Sequence, residues 1–478
     1  MNRTTLKYAF FAGISTVTII VLTAIFLSIG SSCCAADEPV QKKLSLSDAI
    51  QISVDTNPRL KQTEQGYQDS LSKLEVQKFR TSFGVGSNTN MARANSESSI
   101  SSLVFGNMTY TSISGTEASL NLSPFGLGSE RGLMELSLRR PLMGGSGILS
   151  DKYNSIADAQ NNVDIENKQL YIAQQNTITN VIESYYQAVL AGEQVKVLTK
   201  AVSIIEESAV MAHKRVKAEL VAELEATRAD IRVADTKNRL NQQLQSHKEA
   251  LQKLMLAIGS GVDNPPELTD PLPELPLDTP SLEDAVKTAL DNRYELAVYD
   301  QQLSNQQRRL AVTKDQFRPR LDSVINFNSS NQDAGLISRS GFSLGSFFAG
   351  LEMRFALDKR IALEDQETAT RGLDVLSKMR TFQTEQIIED VQRAYRALES
   401  AKTSRQIFDQ NLKTAQDNLA MAQRMVDEGI DDNRNVLEAQ NSLTQVENQR
   451  LSARLNVYLA SMQLKHAMGE DLKTIGKK

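Results

Sequence analysis

The chain carries one long stretch twice, and that duplication constrains its fold more than any other feature. Shifted by 210 positions without a gap, Met211 to Gly259 reproduces the skeleton of Met421 to Gly469. Met211-Ala212 matches Met421-Ala422, Val216 matches Val426, Ala229 matches Ala439, Leu254 matches Leu464 and Gly259 matches Gly469. Within the second copy two columns recur every seven residues. One is Val436, Leu443, Arg450, Val457 and Leu464; the other is Ala439, Val446, Ala453, Ala460 and Ala467. This is the alternation of a helix with a narrow apolar seam, and the alanine column admits a close neighbour. A second stripe, Leu451, Leu455, Tyr458, Leu459 and Met462, runs beside it. Two adjacent seams predict a helix held between two neighbours, as in a ring of helices; an ordinary bundle core is the plainer alternative.

At 478 residues the chain exceeds what one compact core holds, yet the repeat points to two halves of one architecture. Aromatic residues are 5% and tryptophan is absent, too few for a large globular core, so an elongated helical molecule is expected. The net charge of -5 and the lack of a basic cluster give no nucleic-acid footprint. Residues 1–36 read as an export signal: Arg3 and Lys7, an apolar run from Tyr8 to Ile29, then small residues before Asp37. An uncleaved membrane anchor is the rival. Lipid modification at Cys33 or Cys34 is disfavoured, because Gly30 or Ser31 sits where a large apolar residue is usual. Both cysteines fall in this segment, so the exported part has no disulfide framework or cysteine metal site.

The first repeat spans 44–259 and the second 281–469, joined by a proline-rich linker over 260–280 and followed by a tail over 470–478. A helix is expected from Leu44 to about Lys78, capped by Ser45 or Ser47; its counterpart begins at Ser281, which with Asp284 resembles a capping box. These starts are related by a shift of 236 and not 210, so the first half holds more residues between its helices. The surplus lies in the Ser-, Gly- and Asn-rich segment 81–147, where the period changes to two: Met134, Leu136 and Leu138 alternate with Glu135, Ser137 and Arg139. In the second half, over 320–357, Ile325 and Phe327 alternate with asparagines, and Leu351 and Met353 with Glu352 and Arg354. Each segment predicts a strand pair with one apolar and one polar face. Such strands suit a membrane barrel or a half-buried soluble sheet, and four of them cannot close a barrel within one chain. Proline-free helical patterns run from about Leu149 to Lys217 and from about Asp358 to Glu428, each about 100 Å if continuous. Each turns back into one copy of the duplicated helix.

Exported, duplicated, and built as helix, strand pair and long helical hairpin, the chain resembles the TolC-type outer-membrane efflux protein family. The residues that carry the likeness are Leu46-Ser-Asp-Ala-Ile with Asn57-Pro58, Arg140-Pro141-Leu142 with Gly144-Gly145, Tyr185-Tyr186, Gly429-Ile430, Val436-Leu437-Glu438-Ala439-Gln440, and Leu464 to Gly469. The resemblance implies an α+β, mainly α chain that forms a homotrimer. Three chains would build a 12-stranded β-barrel in the outer membrane of a Gram-negative bacterium and a helical tunnel in the periplasm. It also implies an exit duct for a tripartite efflux pump or type I secretion system. The partners would be a periplasmic adaptor and an inner-membrane transporter of RND or ABC type.

The family's pore gate maps onto Asn435 and Glu438, the first having lost its charge, and the lock residue of the first tip onto Glu225. Three Glu438 side chains would crowd negative charge and favour cations. The lock's usual partners fall at Val426 and Asp431, which cannot form it; Arg434 and Arg228 are nearby substitutes. The hairpin tips, Glu219, Leu220 and Val221 in the first and Gly429, Ile430 and Asp431 in the second, would meet the adaptor. The plain alternative is that these acids only solvate a helix start.

No nucleotide loop, nucleophile elbow or zinc spacing is present, and His213, His247 and His466 are isolated, so neither enzyme activity nor a cofactor is expected. A periplasmic coiled-coil adaptor or structural rod is the competing function; the strands and the full duplication separate it from a duct.

Overall fold

Asn57 ends one helix and starts the next. In the computed structural model, which describes residues 43–79, 81–94, 97–123, 133–219, 221–261, 266–273, 280–330, 346–354, 359–428 and 433–473, helix α1 covers Leu46–Thr56 and α2 covers Pro58–Lys78. The Asn57 Oδ1 accepts from the backbone N–H of Arg59 at 3.0 Å, and Pro58 occupies the first turn, where a missing N–H costs nothing. The single helix expected from Leu44 to Lys78 is therefore two. Of the two candidate caps Ser45 is used, accepting from Asp48 N–H at 3.2 Å. The second half repeats the break: α5 (Leu282–Asn292) and α6 (Tyr294–Asp315) part at Arg293, and Ser281 caps α5 by accepting from Asp284 N–H.

The long helices match their expected extents closely. Helix α3 spans Asp151–Lys217 and α4 Glu223–Ile258; α7 spans Arg360–Asp427 and α8 Asn433–Ala467. Each hairpin is longer on its first arm, and the short helices make up the difference. Gly259, left-handed at φ 81°, ends α4 against Asn57, while the Thr56 hydroxyl and the Asn57 amide donate to the carbonyls of Ile258 and Ala257. Gly469, at φ 72°, ends α8 against Asn292 and Arg293, whose guanidinium donates to the Ala467 carbonyl. In both halves a short helix thus meets a hairpin helix end to end beside one uninterrupted arm. A Cβ at Gly259 would lie 2.9 Å from the Asn57 Cα, which is why glycine stands there.

Helix α8 has the two neighbours that its two seams require. Val457, Ala460, Leu464 and Ala467 pack with Ile387, Val391 and Leu398 of α7. Leu455, Tyr458 and Met462 pack with Ile178, Ile182, Tyr185 and Tyr186 of α3. The long helices therefore stand in the order α4, α3, α8, α7. The linker crosses this array and is pinned: the Asp270 carboxylate accepts from Leu46 N–H at 2.7 Å and from the Tyr185 hydroxyl at 3.2 Å. Tyr185 also donates to the Leu44 carbonyl, and burial pushes its phenol up to about 12.

One antiparallel sheet tops the helices, with strands in sequence order: β1 (Thr81–Ala94), β2 (Glu97–Thr111), β3 (Glu117–Ser123), β4 (Leu133–Met143), β5 (Arg320–Ser330) and β6 (Ser346–Arg354). It holds six strands where four were expected. The first half contributes two hairpins and not one. The pairing of Leu120 with Leu136, Leu136 with Phe327 and Phe327 with Phe347 puts the apolar residues on one face. Met108, Tyr110, Leu136, Leu138, Phe347, Leu351 and Met353 on this face are exposed. The other face carries Asn121, Glu135, Asn326 and a charge cluster, in which buried Asp322 accepts from Arg139 at 2.9 Å and from Arg354 at 2.8 Å. Among the described residues no helix is long and apolar enough to cross a membrane. The segment read as an export signal lies outside the described residues.

Candidate functional site

A groove runs along one side of the helix array and is lined by residues from all four long helices. Helix α8 contributes Asn441, Gln445, Asn448, Ser452, Asn456 and Gln463, spaced by three, four or seven residues so that they share one face. Across from them stand Gln187 and Gln194 of α3, Gln242, Gln243 and Ser246 of α4, and Ser400 and Ser404 of α7. This part of the groove holds about 1090 Å³ and is polar but almost uncharged, with Glu183 and Arg239 its only ionic residues among the described ones.

Toward the hairpin tips the groove continues into a cavity of about 950 Å³ shared by α3, α4 and α8. Here the lining becomes ionic. Arg215 comes from α3, Arg228, Arg232 and Arg239 from α4, and Arg434 from α8; the carboxylates are Glu225, Asp235 and Glu438. Glu225 and Glu438, expected at the pore gate, do line one cavity. Glu225 accepts from Arg228 at 3.0 Å within its own helix, and Glu438 is exposed. Asn435 is exposed on the same helix one turn from Glu438. At the repeat shift Asn435 occupies the place of Glu225, and Glu438 that of Arg228, so the two halves bring different charges to equivalent positions.

At the first tip α3 ends at Lys217 and α4 starts at Glu223, with Val221 half-buried. Glu219 is the one non-glycine residue of positive φ, 58°, among the described residues. A glutamate there bears a local strain of about 1–2 kcal/mol that glycine avoids. Leu220, Gly429, Ile430 and Asp431 lie outside the described residues.

His247 and His466 are packing residues, whereas exposed His213 contacts the Asp230 carboxylate at 2.9 Å. His247 sits in the space left by Gly192 on α3, and a Cβ on that glycine would meet the imidazole at 3.2 Å. His466 contacts Asn176 Oδ1 at 2.8 Å; burial and, next, Arg293 hold its pKa below the ordinary value. No group of His, Cys, Asp and Glu suited to a metal ion occurs among the described residues.

The arginine stripe of α4 escaped the sequence reading, although Arg228, Arg232 and Arg239 recur at helical spacing. Its convergence with Arg215 and Arg434 depends on which helices become neighbours.

Compared with known proteins, the profile of a family described as "Outer membrane efflux protein" matches residues 112–260 and 285–470, one block in each half. The chain belongs to the outer membrane efflux protein family. Solved structures agree in fold at low identity. A membrane protein from Pseudomonas aeruginosa shares 15% of residues at a TM-score of 0.69, with 89% of this chain and 92% of that one covered. The outer membrane protein VceC from Vibrio cholerae shares 13% at 0.68, over 89% and 96%. The CmeC outer membrane channel of Campylobacter jejuni shares 14% at 0.68, over 89% and 85%. No curated protein matches in sequence. Family membership makes this an outer-membrane efflux channel, with its helices in the periplasm as a tunnel. Members of the outer membrane efflux protein family work with an adaptor and an inner-membrane transporter.

Proposed function

We propose that three copies of this chain close into a continuous duct and that the hairpin tips form its periplasmic gate. The observation that carries the reading is the open array of four helices. Its outer members keep exposed apolar stripes along the stretch that runs toward the tips: Leu224 and Ile231 on α4, and Ile407 and Met421 on α7. Joining α4 of one copy to α7 of the next covers both stripes and makes the polar groove the wall of a lumen. The apolar sheet face would then meet lipid, and the Asp322 cluster the water-filled interior.

Glu438, Asn435 and Glu225 are the candidate gate, supported by the ionic tip cavity that Glu438 and Glu225 line and by the place of Asn435 one turn from Glu438. The tips around Glu219 and Val221 would receive a periplasmic adaptor, and the transporter behind it would be of RND or ABC type. An adaptor or rod explains the helices but not the exposed apolar sheet face.

The test is extraction and conductance. The protein is expected to leave membranes only in detergent and, once purified, to give discrete conductance steps in planar bilayers. Release by salt, together with silent bilayers, would favour the rod.

A further inference from the structure

The tip cavity is charged unlike the rest of the groove, and its sign is positive. Among the described residues that line it, five arginines face three carboxylates, a balance of +2. Arg228 is engaged by Glu225. No ion pair of Arg232 or Arg239 occurs among the described residues, although both line the cavity. Arg228, Arg232, Asp235 and Arg239 follow a spacing of four, three and four, so a single face of α4 presents them together. The stripe is not a by-product of duplication. At the repeat shift Arg232 and Arg239 correspond to Ser442 and Gln449. Beyond Arg239 the described wall turns mainly to neutral amides and hydroxyls, with Glu183 its one carboxylate.

From this we infer that the tip cavity is an anion-binding stretch, which takes oxyanions or carboxylates of passing solutes and makes the duct prefer anions at its periplasmic mouth. Arginine suits the role because it stays charged at every relevant pH and its planar fork matches carboxylate and phosphate oxygens in pairs. Asp235 and Glu438 keep the site from holding anions too tightly to release them. Glu438 stands among these arginines, and so the cation preference expected from it gives way to the opposite. The inference rests on the duct reading only in making the cavity part of a lumen; the binding itself does not.

The experiment is calorimetric titration of inorganic pyrophosphate into the purified full-length protein in detergent at low salt, for the native chain and for Arg232→Gln/Arg239→Gln. Native protein is expected to bind saturably, and the double variant at least tenfold more weakly, with an unchanged melting temperature and elution volume. Absence of binding, or equal affinity in the two forms, overturns the proposal. Reversal potentials in a potassium chloride gradient give an independent readout. Anion selectivity that declines in the variant supports it, and cation selectivity of the native channel refutes it. Pyrophosphate bound as expected by a protein that carries no current would leave the site standing and remove the duct.

Discussion

Gly259 and Gly469 show how much of this architecture hangs on single positions. Both are left-handed, both end a hairpin, and both touch the residue where a short helix begins. Gly259→Ala combines an unfavourable φ with a Cβ 2.9 Å from the Asn57 backbone, and it should destabilise the protein by about 1–3 kcal/mol. Gly469→Ala, with its nearest contact at 3.1 Å on a side-chain atom, should cost less. Thermal unfolding of the solubilised protein would rank the two. His466 tests the electrostatics of the same junction. The fold favours its neutral form, whereas the unfolded chain takes up a proton near pH 6.5. Stability contributed by neutral His466 is therefore complete above that pH and declines as the pH falls below it, until the folded imidazole also titrates. Melting temperatures at pH 7.5 and 5.5 should separate more in the native protein than in His466→Gln.

Among the elements, α8 was the most legible in sequence, because its two heptad stripes name two partners and the fold supplies both. Ala460→Leu forces extra volume into the seam with Ile387 and Val391 and should cost about 1–3 kcal/mol. Asn456→Ala on the exposed groove face should stay within about 0.5 kcal/mol. Chemical denaturation of the two variants would show the contrast. The extents of α3 and α7 were legible too, since nothing interrupts their pattern. The break at Asn57 was not. Asn-Pro reads equally as a turn or as a helix start, and the apolar period runs through it without a change of phase. Strands β1 and β2 were hidden for another reason. Thr81–Ala94 and Glu97–Thr111 are rich in serine, glycine, asparagine and threonine, which blurs the two-residue period that exposed β4 and β5. The candidate gate was legible only by likeness to a family, and its basic surroundings only from the packing of three helices.

For the whole molecule, the exposed surfaces dictate the environment. Phe347→Lys or Leu351→Lys puts a charge on the apolar sheet face and should cost about 2–4 kcal/mol of membrane stability near the bilayer centre. The fraction of protein folded into lipid vesicles reports it, and a variant that inserts like the native protein would contradict the lipid-facing assignment. Ile407→Asp on the outer stripe of α7 should leave single chains where the native protein is expected to sediment as an assembly. Sedimentation in detergent decides between them.

The pinning of the linker at Asp270 and the two glycine junctions all lie at one end of the hairpins, the end away from the tips. Each hairpin is thus clamped at its base, and the run from clamp to tip is the 36 residues of α4 or the 35 of α8, about 54 Å of helix. A rod of that length is a lever. Each degree of rotation at the clamp carries the tip through about 1 Å, so a twist of a few degrees that leaves the packing around Tyr185 intact would move the tip by a few ångströms. Stiff arms on a fixed pivot let the tips travel without unfolding a single turn.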